Sequence, residues 1–251
     1  MITAMYFSPT KTTKKTVEAI AGAMGEYGVI DLTNPIARKM RYIYGEEDVL
    51  VLGYPVYGGR VPEVLLDVFG KLMGEGTKAV VVGVYGNRAY EDALIEAADI
   101  LTERGFKVVA AGAFIGEHSY TYEVATDRPD EDDLAVAAEF GRQIAQKLEA
   151  GYFVTPEIPG NRPYKKGMPD MPFVPEVKDT CSACGACVKV CPVQVIDRKN
   201  PRITNAGCIL CCACVKTCTR GARYFDAAPI HKIITMLETN CTDRKEPELF
   251  I

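Results

Sequence analysis

The feature that most constrains this chain is a cysteine spacing that occurs twice near its C-terminal end. Eight of the ten cysteines fall into two copies of the run C-x2-C-x2-C-x3-C, at residues 181–191 and 208–218. Three closely spaced thiolates can hold three corners of a cubane iron–sulfur cluster, while the fourth, expected at the start of a helix, points away from them. The repeat predicts two four-iron clusters. Cys212 and Cys241 lie outside the pattern and are predicted to be ordinary thiols.

The segment 179–226 resembles the two-cluster bacterial ferredoxins. Pro192 stands where that family has proline, and Thr219 fills the matching position of the second run. The resemblance implies that the fourth cysteine of each run ligates the cluster held mainly by the other run. The first expected ligand set is Cys181, Cys184, Cys187 and Cys218. The second expected set is Cys208, Cys211, Cys214 and Cys191.

Zinc and disulfides are the alternative explanations for so many cysteines. A zinc site usually pairs two C-x2-C knuckles into one four-ligand set, so this repeat would leave too many thiols over. Disulfides need an oxidising compartment, but Met1–Phe7 has no basic region followed by a long apolar core. No apolar run reaches membrane-spanning length either. We therefore expect a cytoplasmic protein that keeps its thiols reduced.

The length of 251 residues allows one medium domain and a small one. Six prolines crowd residues 151–178, which predicts an extended connector that packs on a neighbour through its aromatic residues. We therefore predict an α/β domain over 1–150, the connector, and an iron–sulfur domain over 179–226. Residues 227–251 form the tail, where the spacing of Ile230, Ile233, Ile234 and Leu237 predicts a short amphipathic helix.

Charge divides along the same boundaries. Residues 1–150 carry 15 Lys and Arg against 23 Asp and Glu, whereas residues 179–226 carry 7 against 3. Oxidised four-thiolate clusters are anionic, so these basic side chains are expected to offset the charge of the metal centres. The segment lacks the interleaved aromatic residues that stack on bases, and no nucleic-acid partner is expected.

Residues 1–150 alternate apolar strands with amphipathic helices, the pattern of a parallel α/β sheet. Most of the strands are nearly continuous apolar runs, as expected when helices cover both faces. We predict a doubly wound, five-stranded parallel sheet, whose ligand would bind at the carboxyl ends of the strands. The predicted strands are Ile2–Phe7, Val29–Leu32, Val49–Tyr54, Ala79–Tyr85 and Val108–Phe114. The predicted helices are Lys14–Met24, Val61–Met73, Tyr90–Glu103 and Glu131–Glu149.

The loop after the first strand is rich in hydroxyl groups and precedes a helix, which suits a phosphate group. Neither GxxxxGK[ST] nor GxGxxG is present. The loop resembles the phosphate loop of flavodoxins, which holds the 5′-phosphate of FMN, although Lys11 stands where flavodoxins usually have glycine. A capped helix without a ligand is the alternative. The candidate residues are Ser8, Thr10, Lys11, Thr12 and Thr13.

Two further loops resemble the isoalloxazine loops of flavodoxin-like proteins. Glycine lets the backbone approach a flat ligand, and aromatic side chains can cover its face. Either loop taken alone favours a strand-to-helix turn with a capping role, but three such loops at one edge of the sheet favour FMN. After the third strand, the candidates are Pro55, Val56, Tyr57, Gly58 and Gly59. After the fourth, they are Tyr85, Gly86, Asn87, Arg88 and Tyr90.

His118 is the one weak candidate for a catalytic residue. It follows the fifth strand and could donate a proton or a hydrogen bond to flavin, although a structural role is the alternative. Together with Tyr85–Arg88 and Arg128–Asp130, the pair His118 and Ser119 is similar to the EFR1-type family, in which a flavodoxin-like domain is fused to a two-cluster ferredoxin. That resemblance implies one FMN and two [4Fe–4S] clusters in one chain.

These cofactors predict an electron-transfer flavoprotein that couples two-electron chemistry at FMN to one-electron transfer through the clusters. The expected partner is a redox protein acting as donor or acceptor, together with a small-molecule acceptor if the chain is a reductase. The alternatives are a carrier without a substrate of its own and a redox sensor. A homodimer could instead bring the flavin of one chain beside a cluster of the other.

Overall fold

The computed structural model of the chain describes residues 1–169 and 171–251. Ten strands and seven helices are present in these residues, besides one turn of 3-10 helix at Ala37–Lys39. The strands are β1 (Ile2–Tyr6), β2 (Tyr27–Asp31), β3 (Ile43–Tyr44), β4 (Val49–Pro55), β5 (Met73–Gly74), β6 (Lys78–Tyr85), β7 (Lys107–Ile115), β8 (Glu176–Val177), β9 (Arg223–Tyr224) and β10 (Glu248–Phe250). The helices are α1 (Thr12–Met24), α2 (Glu63–Phe69), α3 (Ala93–Glu103), α4 (Glu131–Glu149), α5 (Ala186–Val190), α6 (Ala213–Lys216) and α7 (Ala228–Asn240).

The main sheet has the order β10-β7-β6-β4-β1-β2. Five of its strands are parallel, and counted along the chain they follow the order 2-1-3-4-5. That order is the flavodoxin-like form of the doubly wound fold, in which ligands bind beyond the carboxyl ends of the strands. The predicted fold class and all five predicted parallel strands are confirmed, with ends that differ by one or two residues.

Helices cover both faces of the sheet, as the apolar strands require. All eight residues of β6 are buried. Alternate residues of β1 enter two separate cores: Ala4 and Tyr6 face the layer that contains α1 and α4, whereas Met5 and Phe7 face the layer of α2 and α3. A strand buried on both faces reads as a continuous apolar run, because neither side of its pleat meets water.

The expectation of a five-stranded sheet is corrected by β10. This strand pairs antiparallel with β7, so the sheet has six strands and one of them comes from the tail. The tail is accordingly a helix followed by a strand, where the sequence predicted only a helix. Helix α2 is also shorter than predicted, since it begins after Pro62 and ends before Gly70.

The iron–sulfur part is small and made of short elements. Strand β8 lies inside the predicted connector and pairs antiparallel with β9. The short helices α5 and α6 each contain the third cysteine of a run and end before the fourth. In the part of the chain that the structure describes, no helix is both long enough and apolar enough to cross a bilayer.

Candidate functional site

The two cysteine runs have matching backbones. Residues in the left-handed region, with φ between +54° and +76°, recur at equivalent positions of the two segments. Two of these positions lie within each run, and the third lies three residues after its last cysteine. A residue in this region turns the chain sharply, and side chains other than glycine adopt it at a cost. The two runs are therefore structural copies as well as sequence copies. The matching pairs are Ala183 with Leu210, Gly185 with Cys212, and Gln194 with Gly221.

Two backbone bridges tie each run to the other. Val177 pairs with Arg223, and Ile196 pairs with Thr204. In both bridges, the residue four positions before one run pairs with the residue five positions after the last cysteine of the other run. The chain entering each run therefore lies beside the chain leaving the other. This crossing is the geometry that an exchanged fourth cysteine needs.

Cys191 lies among the thiols of the second run. Burial, with smaller contributions from the charges of Cys208 and Cys191, raises the pKa of Cys211 to about 12 and that of Cys214 to about 11, and Cys187 also contributes at Cys214. Burial also raises the pKa of Cys208, with Cys191 again contributing. Metal binding to such buried thiols must therefore displace protons.

Cys218 differs because backbone N–H groups surround its sulfur. Burial raises its pKa, but hydrogen bonds from the N–H groups of Ala222, Arg223 and Arg220 outweigh burial and lower the pKa overall. The N–H of Ala222 lies 3.3 Å from Sγ of Cys218, and the N–H of Ala183 lies 3.5 Å from Sγ of Cys181. Hydrogen bonds to the sulfurs are among the features that tune a cluster.

The fourth cysteine of each run follows a helix, which corrects the expectation that it would start one. Cys191 is the residue after α5, and Cys218 comes two residues after α6. Among residues 1–169 and 171–251, no three His, Cys, Asp or Glu side chains converge on a single metal-ion position. A cubane cluster spreads its four thiolates over four irons and so does not need such convergence.

Four loops at the carboxyl edge of the sheet meet around a cavity of about 380 Å³, which we call the sheet-edge cavity. Its volume lies within the range of small-molecule sites. Loops following β1, β4, β6 and β7 all contribute to it, so the topology brings together segments that are distant in sequence. The loop residues that line it are Thr10, Thr12, Pro55, Val56, Tyr57, Gly58, Tyr85, Gly86, Arg88, Gly116, Glu117, His118, Ser119 and Tyr120.

The hydroxyl-rich loop contributes to this cavity only through Thr10 and Thr12. Ser8 Oγ accepts a hydrogen bond from the N–H of Lys14 at 2.9 Å, so this hydroxyl supports the first turn of α1. Lys11 has φ of +70°, the left-handed conformation that glycine adopts freely. Thr13 is fully buried, and its Oγ1 has no hydrogen-bond partner among the described residues.

The loop after β6 divides between the cavity and the tail. Arg88 lines the cavity and pairs with Glu91 at 2.6 Å. Asn87 is buried outside the lining, where its Nδ2 donates to the carbonyl oxygens of Cys241 at 2.7 Å and Asp243 at 2.8 Å. Tyr90 also lies outside, with its hydroxyl donating to Glu248 at 2.7 Å. Gly59 is absent from the lining as well.

His118 lies in the cavity wall as a neutral imidazole. Burial, together with the positive charges of Lys216 and Arg88, lowers its pKa to about 4. Its Nδ1 accepts a hydrogen bond from the N–H of Tyr120 at 3.2 Å, which assigns the proton to Nε2. A Cβ on Gly86 would lie 2.3 Å from Cδ2 of the imidazole, so this close packing requires glycine.

The second cysteine run forms part of the same cavity wall, through Ile209 and Leu210. The equivalent residues of the first run are Ser182 and Ala183, which are exposed. Leu210 and Cys211 are buried, whereas Cys184 is exposed. The replacement of Ser-Ala by Ile-Leu was the sequence signal that distinguishes the run facing the cavity, and the sequence analysis missed it.

Two aromatic side chains lie between the loops and the second run. Burial raises the pKa of Tyr57 and that of Tyr120, and the nearby thiols of Cys211, Cys212 and Cys208 raise both further. Both tyrosines also line the cavity. Their positions therefore connect the loops after β4 and β7 to the second run.

The outer wall of the cavity is apolar and comes from two segments that the sequence analysis did not assign to the site. The connector supplies Met168, Pro169 and Met171 and one charged residue, Lys165, which pairs with Glu91, while α7 supplies Ile233, Met236 and Leu237. Their contribution depends on long-range packing rather than on any local motif. The predicted amphipathic helix in the tail is confirmed, and its apolar face covers the site.

Polar contacts hold the iron–sulfur part against the sheet. Lys216 on α6 pairs with Glu117 at 2.6 Å, and both side chains are largely buried. The guanidinium of Arg38 donates to the carbonyl oxygen of Pro192, beside Cys191. Charged side chains that are mostly withdrawn from water need such partners. The two parts therefore meet in a defined arrangement.

Residues 174–197 match the family described as a 4Fe-4S binding domain. No curated protein matches the chain in sequence. The chain is similar to a flavodoxin from the domain Archaea, with 19% identity, coverage of 59% of this chain and 99% of that chain, and a TM-score of 0.40. It is also similar to flavodoxin 2 from Bacillus cereus, with 18% identity, coverage of 58% of this chain and 98% of that chain, and a TM-score of 0.46. A third similar structure is a Fusobacterium nucleatum flavodoxin bound to flavin mononucleotide, with 16% identity, coverage of 60% of this chain and 97% of that chain, and a TM-score of 0.40.

The chain thus combines a flavodoxin-like sheet, recognised by its strand order, with a [4Fe–4S]-binding segment. Iron–sulfur clusters of this type carry single electrons. Electron transfer, with redox proteins as partners, is the activity that these two parts suggest.

Proposed function

We propose that this chain is an electron-transfer flavoprotein with FMN in the sheet-edge cavity and two [4Fe–4S] clusters on the cysteine runs. FMN supplies exchange of electrons in pairs or singly, and the clusters supply one-electron transfer. The chain would be a reductase of low-potential electrons of the EFR1 type, working with a redox protein as donor or acceptor.

The proposed FMN site rests on the loops around the cavity. Thr10 and Thr12 would bind the phosphate together with the N-terminal N–H groups of α1, since a helix N-terminus favours an anion. The hydroxyl of Thr13 has no hydrogen-bond partner among the described residues, which fits a hydrogen bond from this hydroxyl to a phosphate oxygen. Tyr57 would cover the ring, and His118 would offer its Nε2 proton as a hydrogen-bond donor.

The proposed cluster ligands are the crossed sets. The bridges Val177–Arg223 and Ile196–Thr204 favour this crossing, and Cys191 lies near Cys208, Cys211 and Cys214. The donor chemistry also fits, because eight thiols in two matching runs satisfy two cubanes. The first set is Cys181, Cys184, Cys187 and Cys218, and the second is Cys208, Cys211, Cys214 and Cys191.

One observation carries the proposal of direct coupling: Ile209 and Leu210, which separate Cys208 from Cys211, line the cavity assigned to FMN. A chain that only carried two unrelated cofactors would not need the cysteine run in the cavity wall. The second set would therefore lie beside the flavin. The side chains of Ile209 and Leu210 would exclude water between the two sites.

Composition is the first test. Protein prepared without air should contain about eight irons and eight acid-labile sulfides per chain, and mass spectrometry of the released flavin should show FMN. Thr10→Ala and Thr13→Ala should each weaken FMN retention without lowering the iron content. FAD, or no flavin after reconstitution, would contradict the site.

Coupling is the second test. After rapid mixing with a one-electron donor, the absorbance changes of clusters and flavin should be kinetically linked in the intact protein. Flavin-depleted protein should still accept electrons on its clusters but should lose activity toward acceptors at the flavin. Independent reduction of the two parts at every protein concentration would refute coupling.

A carrier without a substrate of its own is the second candidate, and the apolar outer wall favours it. Met168, Met171 and Met236 would stand between the flavin and an external substrate. A reductase would have to open this wall, whereas a carrier would not. Turnover of small acceptors by the purified protein, supplied with reduced ferredoxin or NAD(P)H, separates the two functions.

A further inference from the structure

A second large cleft, of about 840 Å³, lies between α1 and α5, outside the sheet-edge cavity. We call it the α1–α5 cleft. One wall is the flavodoxin-like part and the other is the iron–sulfur part. Its basic lining residues are Lys11, Lys14, Lys15, Lys189 and Arg198, and its single acidic lining residue is Asp31.

Few of these basic side chains form ion pairs within the described chain, although the proposed clusters would offset part of the charge of Lys189 and Arg198. Lys14 pairs weakly with Glu18 at 3.8 Å, but across residues 1–169 and 171–251 no ion pair involves Lys11, Lys15, Lys189 or Arg198. Asp31 already accepts a hydrogen bond from the N–H of Thr33 at 2.8 Å. Lysines gathered around one cleft repel one another, so an anionic partner would stabilise them.

The remaining lining favours a protein over a small phosphorylated ligand. Apolar side chains such as Val188, Val190 and Ile196 line the cleft together with the basic ones, and Ile36, next to the lining residue Pro35, is 69% exposed. An apolar floor with a charged rim is the usual composition of a protein interface.

The cleft also lies beside the cysteines. Helix α5, which forms one wall, contains Cys187 and is followed by Cys191, and these two cysteines belong to different proposed ligand sets. Arg38 joins the two parts at this point through the carbonyl oxygen of Pro192. A protein bound here would therefore be close to both proposed clusters without opening the sheet-edge cavity.

We propose that the α1–α5 cleft is the docking site for a small acidic one-electron carrier protein. This rests on the proposed function for its purpose, although binding itself does not require electron transfer. In each encounter the carrier would be oxidised by one electron and the iron–sulfur part would be reduced by one, with no proton or atom exchanged.

The test uses the cofactor-loaded protein and an acidic plant-type [2Fe–2S] ferredoxin in its oxidised form, so that no electron is transferred. Isothermal titration calorimetry should detect binding at low ionic strength. The double variant Lys15→Glu/Lys189→Glu should raise the dissociation constant about tenfold or more. The difference should disappear in concentrated salt, where the Debye length falls to a few ångströms.

The matched control is Arg104→Glu/Lys107→Glu, which makes the same change in charge at the opposite edge of the sheet. Both residues are exposed, and Lys107 begins β7. This control should bind the ferredoxin within about twofold of the unaltered protein, because its charges lie far from the cleft. Basic cytochrome c should not bind the cleft at all.

Three results would overturn the proposal: unchanged binding by Lys15→Glu/Lys189→Glu at low salt, equal weakening by the control, or displacement of the ferredoxin by millimolar ATP or inorganic phosphate. The last result would assign the cleft to a phosphorylated small molecule. Iron, sulfide and FMN are measured in every sample. A failure of the proposed function would appear in those contents or in the coupling kinetics, whereas a failure of docking appears only in the titration.

Discussion

Cys212 occupies a backbone position that glycine fills in the other run. Its φ of +61° matches that of Gly185 at +76°, and both residues immediately precede the short helix of their run. The thiol of Cys212 is buried, with its Sγ 3.6 Å from the carbonyl oxygen of Leu210. Its role is therefore to form a turn and fill space, and it is not part of either proposed ligand set.

Substitution separates this role from ligation. Cys212→Gly should keep about eight irons per chain, because glycine adopts the left-handed conformation without strain. Cys211→Ser should lose about four, and Cys191→Ser should damage the same cluster. Iron analysis of anaerobic preparations checks this. An equal loss of iron from Cys212→Gly and Cys211→Ser would contradict the ligand sets.

Protonation of His118 should lower the stability of the folded chain as the pH falls. Its pKa in the folded chain is lowered from 6.5 to about 4 by burial, Lys216 and Arg88. The unfolded chain therefore takes up this proton first, and stability falls as the pH drops from about 6.5 towards 4. Between pH 7 and 5.5, the free energy of unfolding should fall by about 1 kcal/mol more in the unaltered protein than in His118→Asn.

Urea unfolding of both proteins under anaerobic conditions measures that difference. Other groups titrate equally in the two proteins. Subtracting the two free energies of unfolding at each pH therefore isolates the contribution of the imidazole. The same pH dependence in both would mean that His118 is as accessible to protons in the folded chain as in the unfolded one.

Among the elements, the tail covers the site although it is distant from the site's loops in sequence. Helix α7 covers the sheet-edge cavity, and β10 joins the sheet next to β7. Between them, Asn87 binds the carbonyl oxygens of Cys241 and Asp243, and Arg128 binds that of Lys245 at 2.7 Å. The tail is fastened at both ends, so α7 is held over the cavity.

Asn87→Ala should release this fastening. The change leaves the buried carbonyl group of Cys241 and the partly buried one of Asp243 without their donor, at a cost of about 1–3 kcal/mol. We expect faster proteolysis of the tail and faster loss of FMN, with unchanged iron content. Gln143→Ala, on the exposed side of α4, is the control and should change neither. Equal FMN release in both variants would show that the tail does not retain the cofactor.

Periodicity predicted most of the elements, because each depends on its own apolar pattern. β10 was missed because three residues carry no recognisable pattern and are ordered only by pairing with β7. Asn87 was predicted to contact a ligand, but the structure uses its amide to bind a tail distant in sequence. Contacts between remote segments decide such roles, and spacing does not encode them.

At the scale of the whole molecule, the two parts meet through Lys216 and Glu117 beside the cavity. Either charge left alone at this partly buried contact would be poorly solvated. The contact keeps α6, and with it the second cysteine run, against the loop after β7. Coupling between flavin and cluster should depend on it.

A charge swap tests this dependence. Lys216→Glu and Glu117→Lys should each weaken the contact by about 1–3 kcal/mol and slow electron transfer between the parts. The double variant should recover much of the lost contact free energy and much of the electron-transfer rate. Rapid-mixing kinetics and electron paramagnetic resonance of the partly reduced protein provide the measurements. Full coupling in both single variants would show that other contacts hold the parts together.

The crossed bridges also have a consequence for the order of assembly. Ile196 and Thr204 are close in sequence, whereas Val177 and Arg223 enclose both cysteine runs. Closing the longer loop costs more chain entropy, by on the order of 1.5 kcal/mol. The hairpin that brings Cys191 to the second run should therefore form first. Iron would then be captured first on the buried side facing the cavity, and the exposed cluster would close the structure last.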